Sequence, residues 1–236
     1  MLDAAQLTGR SRTHVLDVES FECALHRDVI TPFQRMRAAA AVDGIDLVPA
    51  SAFRDFERQR LIWNAKYSGE RPMLDRQGRP LQAASLDPAA RIEAILWWSA
   101  LPGASRHHWG TDCDVYDRNA LPTGAALRLE PDEYAPGGPF AALDVWLEQR
   151  AAEFGFYRPY RSRHEGVSPE PWHLSYAPIA VSCVAATTTA VLAEALQSAA
   201  RDGAPVLGAA EILARLPELQ RRFVATVDPP PSTIKD

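Results

Sequence analysis

A chain of 236 residues, 47% hydrophobic and 23% charged, is long enough to bury its own core and has the composition of a globular protein. Its formal net charge of -5, with acids and bases interspersed, argues against nucleic acid as a partner, because phosphate binding needs a clustered basic surface. No run approaches the roughly 18 apolar residues of a membrane span.

The three cysteines, Cys23, Cys113 and Cys183, are widely spaced and form no Cys-x-x-Cys pair. Neither a disulfide framework nor a cysteine zinc site is expected, and buried free thiols are. The first residues lack a basic start followed by an apolar run, so no signal peptide is expected, and the expected location is cytoplasmic.

Thr31-Pro32 is a helix opening, with a capping hydroxyl before proline, and the helix should stop near Gly44. Residues 46–50 (DLVPA) read as a short strand. Asp55 can cap a helix over FERQRLIWNAKYS that ends at Gly69. Residues 68–86 are polar and rich in Gly, Pro, Asp and Gln, which predicts a long surface loop, and loops of that length often serve as functional lids. Asp87-Pro88 opens the next helix, which ends before Pro102-Gly103.

Residues 111–116 read as a strand and 118–138 as a Pro/Gly-rich connection. Phe140 to Phe154 shows helical spacing with Gly155 as its stop. A basic-aromatic loop over 157–169 carries Arg158, Arg161 and Arg163, and a strand over 172–176 follows. The segment 179–200 is a mixture of Val, Ala and Thr, a short helix is expected over 209–216, and 227–236 should be disordered. Irregular alternation of helices with few strands predicts an α+β fold with a small, mainly antiparallel sheet flanked by helices. The expected organisation is one domain over 1–236, with a motif core at about 45–177 and a helical extension over 178–226.

Two segments carry the chemistry. The first is Ser105-Arg106-His107-His108-Trp109-Gly110-Thr111-Asp112-Cys113-Asp114, and the second is Glu170-Pro171-Trp172-His173. They offer imidazoles, a carboxylate ligand and a spare glutamate. A hydrolytic zinc site needs those parts: three protein ligands, an open position for water and a base beside it. His107 and Asp114 lie seven residues apart, which is not the spacing of adjacent ligands on a helix. A glycine turn leading into a strand would bring them together. On that strand Asp112 and Asp114 share one face while Cys113 points to the other.

These residues resemble the VanY-type zinc D-Ala carboxypeptidases and their VanX dipeptidase relatives. The motif Ser-x-His-x-x-Gly-x-x-x-Asp is met by Ser105, His107, Gly110 and Asp114, and Glu-x-Trp-His by Glu170, Trp172 and His173. An aromatic-Arg step with a later Gln is met by Phe53, Arg54 and Gln59. The resemblance implies one Zn2+ held by His107, Asp114 and His173, a general base in Glu170, and Arg54 over the scissile carbonyl. It implies that Ser105 and Gln59 help hold the substrate's terminal carboxylate or backbone.

The implied substrates are peptidoglycan stem peptides or muropeptides. An L,D-carboxypeptidase acting on recycled tetrapeptides is the favoured expectation. A D,D-carboxypeptidase or dipeptidase, a phage-type L-Ala-D-Glu endopeptidase and an inactive metal-binding module are the alternatives. Asp112 departs from the family's usual small residue and could orient a ligand histidine, or serve as a local cap. His14, His26 and His164 read as ordinary surface or core histidines, and Trp97, Trp98 and Trp146 as core. Arg158, Arg161 and Arg163 are either a solvated run or a binding site for acidic stem peptides.

Overall fold

The computed structural model describes residues 1–162 and 165–234. The chain begins with a single turn, α1 (Ala4–Leu7), capped by Asp3. Strands β1 (Val15–Val18) and β2 (Cys23–His26) then form an antiparallel hairpin, followed by α2 (Ile30–Val42). Strand β3 (Leu47–Ser51) leads through a turn into α3 (Phe56–Ser68). Asp55 accepts the Arg58 backbone N–H at 2.7 Å and Gly69 ends the helix, so both predicted caps are realised.

The segment expected to be a plain loop instead contains a small hairpin, β4 (Met73–Leu74) and β5 (Pro80–Leu81). Met73 is buried among helical residues, and Trp98 Nε1 donates to the Asp75 carbonyl at 2.9 Å. The alternation there is too short to register as a strand pattern in sequence. Next come α4 (Pro88–Leu96), β6 (Asp112–Asp117), the one-turn α5 (Pro131–Tyr134) and α6 (Ala141–Arg150). The remaining elements are β7 (Phe156–Tyr157), β8 (His173–Tyr176), α7 (Ala177–Ala186), α8 (Thr189–Arg201) and α9 (Ala209–Gln220). The mixed segment is thus two helices, and tertiary burial of Ala180, Cys183, Leu192 and Leu196 overrides the β-leaning of its Val and Thr.

The central sheet is antiparallel, in the order β3-β6-β8-β7. This is the small antiparallel sheet among helices that the sequence implies. One face carries Cys113, Val115 and Leu174, none measurably exposed, onto a core shared with α2 and α6. A second cluster joins α3, α4, α8 and α9 around Trp63, Ile92, Leu192 and Ile212. Trp63 is fully buried and its Nε1 reaches the Leu207 carbonyl at 3.0 Å, which ties α3 to the C-terminal helices. Near the C-terminus, Asp228 accepts the backbone N–H groups of Arg161 and Ser162.

No single helix among the described residues is long and apolar enough to cross a membrane. Cys113 and Cys183 are buried free thiols, as expected, whereas the free thiol of Cys23 is only half-buried.

Candidate metal centre

Register places the donors. Across the sheet, Ser51 lies opposite Asp114, and Asp114 lies opposite His173. Directly opposed residues share a face, so the three form a row on the side away from the core. Asp112 and Ser175 form the next row on that face. A bulge in β3 between Pro49 and Ser51 shifts the register and aims the end of the strand at the site.

His107 arrives from a short 3-10 turn, Arg106–Trp109, ended by Gly110 at φ 67°. Glycine is required there twice over. The conformation is left-handed, and a Cβ would lie 2.5 Å from Val15 Cγ1 and 2.8 Å from the His26 nitrogen.

Donor atoms of His107, Asp114 and His173 lie within 4.8 Å of one another, and all three residues are buried. His107 Nε2 is 3.3 Å from Asp114 Oδ2, and His173 Nδ1 is 3.2 Å from Asp114 Oδ1. The other nitrogen of each ring is occupied. His107 Nδ1 donates to the Ala52 carbonyl at 2.8 Å, and His173 Nε2 donates to Asp112 Oδ1 at 2.9 Å. A carbonyl can only accept, which fixes the His107 tautomer and turns the Nε2 lone pair toward Asp114.

Glu170 completes the cluster, its Oε2 lying 3.4 Å from His173 Nδ1. Its strand-side neighbour Trp172 is buried against Tyr134, so the motif splits its side chains between site and core.

The electrostatics describe a cavity that wants a cation. Burial acts against a charged His173, yet Asp112, Asp114 and Glu170 outweigh it and raise its pKa well above the ordinary value. Burial likewise opposes the Asp114 carboxylate, and His107 and His173 reverse that, holding it well below the usual carboxylate range. Asp114 Oδ1 is buried and has no properly directed hydrogen bond, although His173 Nδ1 is within reach. Two imidazole nitrogens and a carboxylate converge on one point. That nitrogen-and-oxygen donor set fits a zinc-like divalent ion.

Asp112 lies beneath this site. Burial opposes its charge, but Arg106 and His173 bring its pKa down to about 2. Arg106 Nε donates to Asp112 Oδ1 at 2.7 Å, while Arg106 Nη2 reaches Ser175 Oγ at 2.6 Å and Tyr157 Oη at 3.2 Å. Thr111 Oγ1 donates to Asp112 Oδ2 at 2.6 Å. Of the two readings of Asp112, the structure shows the histidine-orienting geometry.

His108 turns away from the cluster. Its Nδ1 donates to the Arg54 carbonyl at 2.6 Å and its Nε2 accepts the Gly103 N–H at 3.1 Å. Burial, aided by Arg54 and His107, takes its pKa down to about 3, so it is a neutral strut.

Arg54 stands at the cluster's edge, half-buried, with Asp114 and Glu170 as its nearest opposing charges. Its Nη1 donates to Gln59 Oε1 at 2.8 Å and its Nη2 to Ser51 Oγ at 3.1 Å. Gln59 is fully buried and donates through Nε2 to the Ala100 carbonyl at 2.7 Å, so both halves of its amide are engaged. Ser105 is buried, and its hydroxyl makes no hydrogen bond among the described residues.

Arg158 is tied to Asp144 and Glu148 of α6, and Arg161 to Glu148. Arg163 and His164 lie outside the described residues. Trp146 is buried in the core, whereas Trp97 and Trp98 are half-buried. His14 and His26 are buried, and His14 Nε2 meets the His108 carbonyl at 2.9 Å. Sequence reasoning passed over Arg106 and Ser175. The alternation Asp112-x-Asp114 facing His173-x-Ser175 was the available signal for Ser175; nothing local marked Arg106.

The sheet thus bears a cluster of two imidazoles and a carboxylate that could hold a metal ion, flanked by a glutamate and an arginine. The chain belongs to the VanY D-alanyl-D-alanine carboxypeptidase family, whose model matches residues 22–179. That match begins before the motif core expected at residue 45 and takes in β2 and α2.

An uncharacterized protein of Haemophilus influenzae is 43% identical over 103 residues, covering 42% of this chain and 70% of the relative. Two solved structures share the fold. The LdcB LD-carboxypeptidase has a TM-score of 0.52 at 21% identity, covering 72% of this chain and 71% of that one. A vancomycin-resistance D,D-pentapeptidase VanY variant from a VanB-type cassette, solved in complex with Zn(II), has a TM-score of 0.51 at 23% identity, covering 72% of this chain and 83% of that one.

Proposed function

We propose that this chain is a zinc-dependent carboxypeptidase that removes the terminal D-Ala from peptidoglycan stem peptides, acting as an L,D-carboxypeptidase on tetrapeptides. The observation that carries the reading is the convergence of His107, Asp114 and His173, with Glu170 3.4 Å from His173 and Arg54 at the edge. Family membership and the Zn(II)-bound fold relative support the choice of metal and of substrate class.

His107 through Nε2, Asp114 through its carboxylate and His173 through Nδ1 would hold one zinc ion. When bound, the ion supplies Lewis acidity toward the peptide carbonyl and toward water. Glu170 takes the proton of the attacking water on its carboxylate and returns it to the leaving amine. Arg54 places its guanidinium where negative charge develops on the carbonyl oxygen. Gln59, with both amide groups committed, is assigned to aiming Arg54. The Ser105 hydroxyl is assigned to the substrate backbone or carboxylate.

The choice of bond rests on a cytoplasmic site of action, which is part of the proposal. A cytoplasmic enzyme cutting D-Ala-D-Ala would destroy pentapeptide precursors, whereas trimming recycled tetrapeptides spares them. The reading therefore pairs L,D specificity with a cytoplasmic site of action. Incubation of zinc-loaded protein with tetrapeptide and pentapeptide muropeptides, read by mass, tests it. Loss of one D-Ala from the tetrapeptide is the expected result, and loss from the pentapeptide alone would overturn the L,D assignment.

A further inference from the structure

The metal-ligand candidates and the base are held by different parts of the chain. Asp114 and His173 face each other in the sheet, and Asp112 takes the far nitrogen of the His173 ring. Glu170 instead precedes β8, and its backbone N–H donates to the Tyr160 carbonyl at 2.9 Å. The buried Tyr160 ring meets the His173 ring edge-on, with 5.0 Å between centroids. Tyr160 is therefore the seat on which Glu170 rests.

Asp228 grips Tyr160 from both sides. Its backbone N–H donates to the Pro159 carbonyl at 2.9 Å, and its Oδ2 accepts the Arg161 and Ser162 N–H groups at 2.9 and 2.7 Å. Hydrogen bonds to an ionised acceptor are stronger than neutral ones. Asp228 lies well past residue 179, where the family match ends. The chain leading to it is anchored. Arg222, in a π-turn over Arg221–Ala225, reaches Glu93 of α4 through Nη1 at 2.6 Å and Nη2 at 3.1 Å. Arg222 Nη2 also donates to the Glu165 carbonyl at 3.2 Å, and a Cβ on Gly166 would lie 2.0 Å from the Arg222 carbonyl oxygen. The C-terminal extension thus holds the chain ahead of Glu170 at two points.

We propose that Asp228 is a positioning residue for Glu170, acting through Tyr160, so that the C-terminal extension completes the catalytic centre. This rests on the carboxypeptidase reading, in which Glu170 is the base. Removing the Asp228 carboxylate frees the Arg161 and Ser162 N–H groups, and the Tyr160 carbonyl shifts with its turn. His107, Asp114 and His173 stay fixed by the sheet and the glycine turn. The base is then misplaced while the metal site persists, and a displacement of about 1 Å costs about 100-fold in rate.

The test uses the zinc-loaded full chain as wild type, Asp228→Ala and Asp228→Asn, with a stem tetrapeptide as substrate. Asp228→Ala should lower kcat about 100-fold, with KM and zinc affinity close to wild type. Asp228→Asn keeps an acceptor oxygen and should restore most of that loss. Amide exchange followed by NMR reads the same contact without turnover. The Arg161, Ser162 and Glu170 N–H groups should exchange about tenfold faster in Asp228→Ala, the equivalent of one hydrogen bond.

An active wild type beside an Asp228→Ala protein of equal kcat, or one with an equally protected Glu170 N–H, overturns the Asp228 assignment alone. Parallel losses of zinc affinity, KM and melting temperature also overturn it, because they mark a merely structural aspartate. Wild type that binds zinc and releases no D-Ala overturns the carboxypeptidase reading, and the role given to Asp228 falls with it.

Discussion

Asp112 Oδ1 accepts hydrogen bonds from both His173 Nε2 and Arg106 Nε, at 2.9 and 2.7 Å, and none of the three side chains is more than 3% exposed. The pair holds the His173 ring from behind, so its removal should be felt in metal binding before it is felt at the substrate. Asp112→Asn should weaken zinc binding about 10- to 100-fold, the range found when a histidine's outer partner is altered. Competition with a chromogenic chelator measures this. Asp112→Ala also leaves Arg106 buried without its counter-charge, which should cost about 3–5 kcal/mol in denaturant unfolding. Full zinc affinity in Asp112→Asn would remove Asp112 from any orienting role.

Among the described residues, Glu170 meets the cluster through His173 Nδ1, while Asp112 holds the ring's other nitrogen. Glu170→Gln should therefore retain zinc at wild-type stoichiometry while kcat drops about 10²- to 10⁴-fold, the usual contribution of a positioned acid-base group. Elemental analysis and single-turnover D-Ala release on the same sample separate the two effects. Unchanged turnover would refute the assigned base.

The Arg54 guanidinium is clamped by Gln59 Oε1 and Ser51 Oγ. Arg54→Lys keeps the charge but not the fork, and should lower kcat about 10²- to 10³-fold. Gln59→Ala should cost less, and the double variant should be no worse than Arg54→Lys alone, because Gln59 acts through the arginine. Additive losses in that cycle would show that Gln59 works independently.

Chelation should both silence and soften the protein. With zinc at about 1,000 times its dissociation constant, binding to the folded state alone adds about 4 kcal/mol. The melting temperature should fall on dialysis against a chelator and recover on addition of zinc. An unchanged melt would mean that no ion occupies the cluster at the concentrations used.

Burial pushes the Cys23 and Cys183 thiols up to about 11 and about 12, and Cys113 is likewise raised by burial and by Asp114. A raised pKa means less thiolate at pH 8, and the thiolate is the reactive form. Alkylation of the native protein at pH 8 should be slower than that of free cysteine by about two orders of magnitude or more, and unfolding should release all three thiols. Rapid modification of Cys113 in the native state would contradict its placement behind the sheet.

Sequence reading recovered what depends on local chemistry. The Asp55 cap and Gly69 stop delimit α3 as expected, and β6 and β8 fall within one residue of their expected starts. The motif spacing brought His107, Asp114, Glu170 and His173 together because a glycine turn and two opposed strands leave little freedom. What escaped depends on partners distant in the chain. Strands of two to four residues, such as β1 and β4, are too short to show a period, and Leu16 on β1 is exposed. Helices α7 and α8 carry β-branched residues whose state is decided by packing. Arg106 looks like an ordinary polar residue in sequence, and only the fold shows it sealed against Asp112 and Ser175.

The turn that presents His107 leans on chain lying ahead of the matched family segment. Val15 presses on Gly110, His14 holds the His108 carbonyl, the Leu7 carbonyl receives Trp109 Nε1 at 3.2 Å, and a Cβ on Gly9 would strike the His108 ring. The family match starts at residue 22, yet the buttress behind the turn that carries His107 starts near residue 7. A shortened protein cut at the start of that match would keep His107, Asp114 and His173 and lose the brace that keeps them aimed.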